Sequence, residues 1–365
     1  MLPSLTNLGL PLADEPGSFW LPPAASTNAA GVDQTFDLIL WVNYLYTIPV
    51  FGVLFYFAWK YRRRAGHGSQ PSPHHGFLLE VTWTVIPTIM VVGIFFQGFV
   101  QYIGLTTMPE DPYEIAVTAK KWGWNFQYPG GYQTNELHVP GGRPILLTMR
   151  SDDVMHSLYI PAFRVKMDVI PGRYTQMWFE PLEVQNDDPT EPEVYDLFCT
   201  EYCGTGHSSM ITKTYVHNAG YFDAWLADAS TTMPYMAPCQ AGEVLWERNC
   251  KQCHSVDGSN GTGPTWFKTY GTEQMTSAGP VEVDPNYLRE SIRNPNAKIR
   301  NGYQGVMPAF SESQLSDQEI DWIIAYHKSL NPDAAGWTEC VKRSPEEIKR
   351  LREEAKAVEA AAAGN

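Results

Sequence analysis

Charge disappears from the chain twice near its start. Leu38 to Trp59 (LILWVNYLYTIPVFGVLFYFAW) is 22 residues without an ionisable acid or base, and Val81 to Val100 is a further 20. About 20 apolar residues carry a helix across a bilayer core, so the pattern predicts two membrane helices, at about 38–59 and 78–103. Pro49 and Pro87 fall inside them, which membrane helices tolerate. Two buried soluble helices are the alternative reading. The intervening loop, 60–76, carries Lys60, Arg62, Arg63 and Arg64 and no acid. By the positive-inside rule it is cytoplasmic, which puts the N-terminus and everything after the second helix outside.

From about Met108 the pattern turns to short runs of β type separated by Gly, Pro and Asn: EIAVTA (114–119), PILLTMR (144–150), YTQMWFE (174–180), EVYDLFC (193–199) and ITKTYV (211–216). Such runs predict a sandwich or barrel. The segment Glu183–Glu193, with five acids and two prolines, reads as a solvated excursion. After Val216 the period becomes helical (GYFDAWLADA), then comes a linker and a helix-rich, glycine-punctuated module to about Leu330. The final charged, Ala-rich stretch reads as a solvated helical tail. The expected organisation is an exported arm (1–34), a membrane hairpin (35–104), a strand module (105–228), a linker (229–239), a helical module (240–332) and a tail (333–365).

Composition agrees with a membrane protein that has exported domains. Charged residues are 18% of 365, below the ~25% of ordinary soluble domains, and aromatics are 13%. A net charge of −14 excludes a general nucleic-acid binder, which needs a basic footprint. The first 34 residues show no basic start and no compact apolar stretch of the signal-peptide kind, and no cysteine precedes Cys199.

The chemistry is concentrated in two places. Cys199-Thr-Glu201-Tyr-Cys203-Gly-Thr-Gly-His207-Ser-Ser-Met210 packs two thiols, an imidazole and a thioether into twelve residues, and His156 lies upstream. Cys/His sets with C-x2–4-C spacing can close a zinc site, and an exported cysteine pair can form a disulfide. The thioether is a soft ligand and turns the balance toward copper. Farther on, Cys250-Lys-Gln-Cys253-His254 is the c-type haem attachment signal, with His254 as an axial ligand. Met307, in G-V-M-P-A-F, is the second axial candidate, and a His/Met pair suits electron transfer. Met233, Met236 and Met275 lack that context and read as packing or linker residues. His67, His74, His75, His138, His217 and His327 read as surface or turn residues. Cys239 and Cys340 bracket the haem module and are a disulfide candidate.

The pattern C-x-E-x-C-x3-H-x2-M, with the upstream H-S-x3-P-x4-K-x-D-x2-P-G (His156, Ser157, Pro161, Lys166, Asp168, Pro171, Gly172), resembles the binuclear copper (Cu-A) domain of cytochrome c oxidase subunit II. The resemblance covers about residues 18–228, and the haem module resembles a class I cytochrome c, so the whole looks like the caa type. It implies a two-helix transmembrane hairpin, a cupredoxin-like Greek-key β-barrel or sandwich, and an all-α class I cytochrome c domain.

It also implies roles. Cys199 and Cys203 would bridge two coppers, with His156, His207, Met210 and the backbone carbonyl of Glu201 completing the set. The Glu201 side chain would reach a magnesium ion shared with subunit I. Trp122, in K-W-G-W-N-F-Q-Y, would be the electron-entry residue, although Gly123 stands where the family often has tyrosine. Glu80, in E-V-T-W-T-V-I-P, would lie at the mouth of a proton-uptake path, with an interfacial charge of no proton role as the alternative.

Function would then be electron entry to a terminal oxidase in a bacterial inner (plasma) membrane. Electrons would pass from a donor such as cytochrome c or an upstream respiratory complex to haem c, to Cu-A, and on to haem in subunit I, where oxygen reduction is coupled to proton pumping. Subunit I, further oxidase subunits and membrane lipid would be the partners. The rivals are the electron-entry subunit of a Cu-A nitric oxide reductase and a membrane-anchored copper carrier. Two coppers and one haem per chain, against one copper, separates the carrier from the oxidase.

Overall fold

The computed structural model describes residues 17–66, 68, 75–186, 188–312 and 314–363; His67 and His74 lie outside them. Two helices, α1 (Ala29–Lys60) and α2 (Phe77–Thr106), are longer than the charge-free runs because their polar ends continue the same hydrogen-bonded backbone. Their apolar side chains are largely exposed, as for helices whose solvent is lipid. They run antiparallel: Gly31 abuts Gln101, where a Cβ would stand 2.1 Å from Oε1, and Tyr46 Oη donates to Met90 Sδ at 3.2 Å.

The strand module is a sandwich of two five-stranded sheets. One has the order β3 (Gln133–Thr134), β2 (Gly123–Gln127), β1 (Tyr113–Lys120), β5 (Ile145–Ser151), β8 (Thr175–Phe179). The other runs β4 (Leu137–Pro140), β10 (Ile211–His217), β9 (Glu193–Cys199), β6 (His156–Ile160), β7 (Val165–Val169). The pairs β1–β5 and β4–β10 are parallel and the others antiparallel. Alternation along the strands sends Ile115, Val117, Phe126, Leu147, Met149, Leu158 and Leu197 into one core.

The arm ahead of α1 belongs to this sandwich. Ala25 N–H donates to Ala162 O at 2.9 Å, Leu182 N–H to Ala25 O at 3.0 Å, and Ser26 Oγ to Phe163 O at 2.9 Å. Arg164, at φ 56°, is buried and grips Asp33 of α1 through Nε and Nη2 at 2.7 and 3.0 Å. It also donates to the carbonyls of Pro161 and Pro22. The exported module is thereby fixed to the membrane hairpin by a bidentate ion pair.

Of the histidines expected at the surface or in turns, His217 and His327 are buried and His138, on β4, is largely covered. The N-cap Asn218 starts α3 (Ala219–Thr232), which lays Trp225 on His138 and His217 at ring distances of 4.1 and 4.7 Å. His138 Nδ1 and His217 Nε2 share a hydrogen bond of 2.9 Å, and His217 is buried. His327 is buried against Trp266 and bonded to Thr269 Oγ1 at 2.8 Å. These burials come from rings distant in sequence. His75 is exposed, as expected.

The haem module packs α4 (Pro238–Asn249) across α6 (Asp317–Ser329). The helices touch at Gly242, where a Cβ would stand 1.9 Å from Trp322 O. Between them lie α5 (Pro285–Arg293) and a hairpin the helical reading did not anticipate, β11 (Glu273–Thr276) and β12 (Gly279–Glu282). The segment read as a linker is short and structured: a 3-10 turn at Met233–Tyr235 joins α3 to α4.

The C-terminal helix α7 (Pro345–Ala363) is not a free tail. Cys239 and Cys340 form a disulfide, Ile348 is buried, Arg352 pairs with Asp228 of α3, and Arg343 donates to Tyr235 O and Met236 O. A crosslink beside a single apolar residue holds a helix whose composition alone promises no contact.

Candidate metal centre

The antiparallel pair β9–β10 is closed by the loop 200–210, and β6 pairs beside β9, so His156 and Cys199 meet although 43 residues apart. Cys199 Sγ lies 3.9 Å from Cys203 Sγ, 3.9 Å from His156 Nδ1 and 3.3 Å from Glu201 O. Cys203 Sγ lies 3.5 Å from His207 Nδ1 and 3.9 Å from Met210 Sδ. Ligands ~2.0–2.3 Å from one tetrahedral ion stand roughly 3.3–3.8 Å apart, so this spacing is close to that of a metal's donor shell. Every side-chain ligand expected from the sequence is brought together.

The protonation pattern fits as well. Asp153 Oδ1 lies 2.9 Å from His156 Nε2 and can only accept, so Nε2 carries the proton and the Nδ1 lone pair faces the sulfurs. Asp153 also accepts from the backbone N–H groups of Lys121 and Val154. The sequence reading missed this carboxylate. Its signal was an acid three residues before the ligand histidine, in D-D-V-M-H. Burial acts to raise both thiols. His156 and backbone hydrogen bonds overcome this for Cys199 and hold its thiol below the usual range, while burial and the Cys199 thiolate push Cys203 up. Two thiolates so close repel, and cations bound to both remove that penalty.

Other residues of the family pattern have structural tasks. Asp168 accepts from Ser157 Oγ at 2.7 Å and Lys166 Nζ at 2.9 Å, holding β6 to β7 behind His156. These bonds, Lys166 first, keep its carboxyl below the usual range. Pro171 and Gly172, at φ 76°, turn the chain after β7. Trp122 is only 5% exposed, packed within the core cluster. Its Nε1–H donates to Cys203 O at 3.1 Å, and its ring lies on Gly204 and Gly206, where side chains would collide with it. Alternate residues Trp124 and Phe126 of the same run are core.

In the haem module, His254 Nδ1 donates to Pro264 O at 2.7 Å. Its Nε2 lone pair is therefore free, as an axial ligand requires. Gly263 lies flat on the imidazole, where a Cβ would stand 2.6 Å from Cε1. His254, Cys253 and Met307 border one crevice with Pro264, Tyr287 and Tyr303. Burial pushes the Cys250 thiol up to about 12 and raises that of Cys253. Cys253 packs against the core cluster that contains Trp122. Glu80 is apart from both sites, in the first turn of α2, where Oε1 accepts the Gly76 N–H at 3.1 Å.

Comparison with known proteins gives three family matches along the chain. Residues 14–100 match "Cytochrome C oxidase subunit II, transmembrane domain" and 131–215 match "Cytochrome C oxidase subunit II, periplasmic domain". Residues 237–326 match "Cytochrome C oxidase, cbb3-type, subunit III". Cytochrome c oxidase subunit 2 of Alkalihalophilus pseudofirmus is 30% identical over 298 residues, 78% of this chain and 83% of that protein. The Bacillus subtilis protein of the same name is 28% identical over 77% of this chain and 83% of its own length. An alternative cytochrome c oxidase subunit 2 of Bradyrhizobium diazoefficiens is 25% identical over 58% and 85%.

Proposed function

The chain belongs to the cytochrome c oxidase subunit II family, with an added cytochrome c domain, and from that premise we propose that it is the electron-entry subunit of its oxidase, taking electrons at haem c and delivering them through Cu-A to subunit I. The observation that carries this reading is the convergence of His156, Cys199, Cys203, His207 and Met210 in a chain that also has a crevice bordered by Cys253, His254 and Met307.

Cys199, Cys203, His156, His207 and Met210 would hold copper, and Cys250, Cys253, His254 and Met307 would hold a haem; when bound, these groups would supply one-electron transfer. The protein's part is to hold these donors still. Asp153 fixes the His156 tautomer, Pro264 fixes that of His254, and the Trp122 indole links the Cys203 carbonyl to the cluster on which Cys253 packs. Arg164 and Asp33 hold the copper module at a set attitude on the membrane helices, toward subunit I.

The Glu201 side chain, with its carbonyl turned to Cys199, is assigned to a magnesium ion shared with subunit I, since a hard carboxylate suits that ion. Glu80, at the cytoplasmic edge of α2, is assigned to the entrance of a proton path. The setting is the inner membrane of a bacterium, with both modules on the periplasmic side. Rapid mixing of the assembled oxidase with a reduced donor tests the order. Haem absorbance should change first and the near-infrared copper band second. Copper reduction that precedes haem reduction would contradict the reading.

A further inference from the structure

The haem module lies against the copper module, yet few side chains make the joint. Arg248 of α4 places its guanidinium 5.6 Å from the Tyr132 ring centre and donates to Tyr132 Oη at 3.2 Å and Gln133 O at 3.1 Å. Lys120, at the end of β1, sets Nζ 4.0 Å over the Phe310 ring. Gln314 Nε2 reaches Asp152 Oδ2 at 3.4 Å. Between these points the modules are spanned, not filled. One crevice of about 390 Å³ runs past Trp124, Tyr132, Arg248 and Trp322, and another of about 520 Å³ runs past Glu136, Trp225 and Glu247. Clefts open to solvent along the joint give it the character of an interface between domains rather than of one continuous core.

Each contact is tied to a redox residue. Arg248 is two residues before Cys250, Phe310 is three after Met307, Lys120 is two before Trp122, and Asp152 adjoins Asp153. A shift at the joint is therefore a shift between the sites. Resting on the electron-entry reading above, we propose that Arg248 is a positioning residue: it clamps the haem module to the Tyr132–Gln133 turn, with Lys120 on Phe310 as the second point, and so sets how often the haem segment stands against the Trp122 cluster. Arginine suits this task because one rigid fork can lie on a ring and serve two acceptors.

The test uses the assembled oxidase, with electrons injected photochemically at the haem and the copper band followed in time. Loss of a charge-assisted hydrogen bond in Arg248→Ala should slow haem-to-copper transfer about tenfold. Haem and copper spectra should stay as in the wild type, and Arg248→Lys, which keeps the cation on Tyr132, should recover part of the rate. The undocked variant should also gain direct copper reduction by a soluble cytochrome c while its haem spectrum is unchanged, a combination misfolding of the haem module does not produce. An unchanged transfer rate in Arg248→Ala combined with Lys120→Gln would overturn the proposal while leaving electron entry intact. Failure of the wild-type haem to reduce copper at all would instead remove the reading on which it rests.

Discussion

Gly206→Ala is the most informative small change available near the copper loop. An alanine Cβ there would stand 2.5 Å from Trp122 Cδ2, 2.7 Å from Cε3 and 2.8 Å from Cγ. Carbon atoms settle at about 3.5–4.0 Å, so the indole or the loop must move by about 1 Å. Trp122 is 5% exposed and has little room to yield. Overpacking of this kind costs typically ~1–3 kcal/mol. If the indole tilts away, its hydrogen bond to Cys203 O is lost as well, which costs about 1 kcal/mol more. A total of about 3 kcal/mol corresponds to a fall in melting temperature of roughly 6–12 °C for a domain of this size. Thermal melting of the purified chain followed by the copper band measures it. Tryptophan emission should shift as Trp122 gains exposure. A variant that melts within 1 °C of the wild type, with unchanged emission, would refute the claim that glycine is needed for the ring to lie on the loop.

Three further changes probe other parts of the account. Asp153→Asn keeps the shape but allows the amide to donate, so His156 loses its fixed tautomer; copper affinity should fall ~10–100-fold by competition with a chelator, and unaltered affinity would count against the tautomer argument. Burial holds His138 down at about 3 and His217 at about 4, so below pH 6.5 the unfolded chain takes up protons that the folded one refuses. Stability should therefore drop as pH falls from 6.5 toward 4, by about 2 kcal/mol per imidazole at pH 5, and His138→Gln/His217→Gln should flatten that slope in melting experiments. Cys340→Ser opens a crosslink spanning 101 residues, which should destabilise the haem module by ~2–5 kcal/mol in denaturant titration; an unmoved midpoint would mean α7 holds without it.

What the sequence disclosed was whatever is local. Charge-free runs marked both membrane helices, and the contiguous candidate ligands Cys199 to Met210 and Cys250 to His254 stood out by spacing. The run EVYDLFC coincided with β9, because its flanks are turns and nothing distant alters it. The strand β2 was not among the clearest β runs, although its aromatics, read apart from the resemblance as core packing, place Trp124 and Phe126 in the core. Asp153 escaped because its role depends on which nitrogen of His156 it faces. The strand-and-turn setting of His138 was legible, but the burial of His217 and His327 was not, because rings on α3 and in the segment after His254 cover them. The docking of the two modules through Arg248 and Lys120 leaves no periodic trace at all.

The central claim is that one chain holds both a binuclear copper centre and a haem. Copper and haem counted per chain, together with the EPR spectrum of the purified full-length protein, test it directly. The account predicts two coppers for each haem and one unpaired spin shared equally by both copper nuclei. One copper with a localised spin, or zinc in its place, would contradict it.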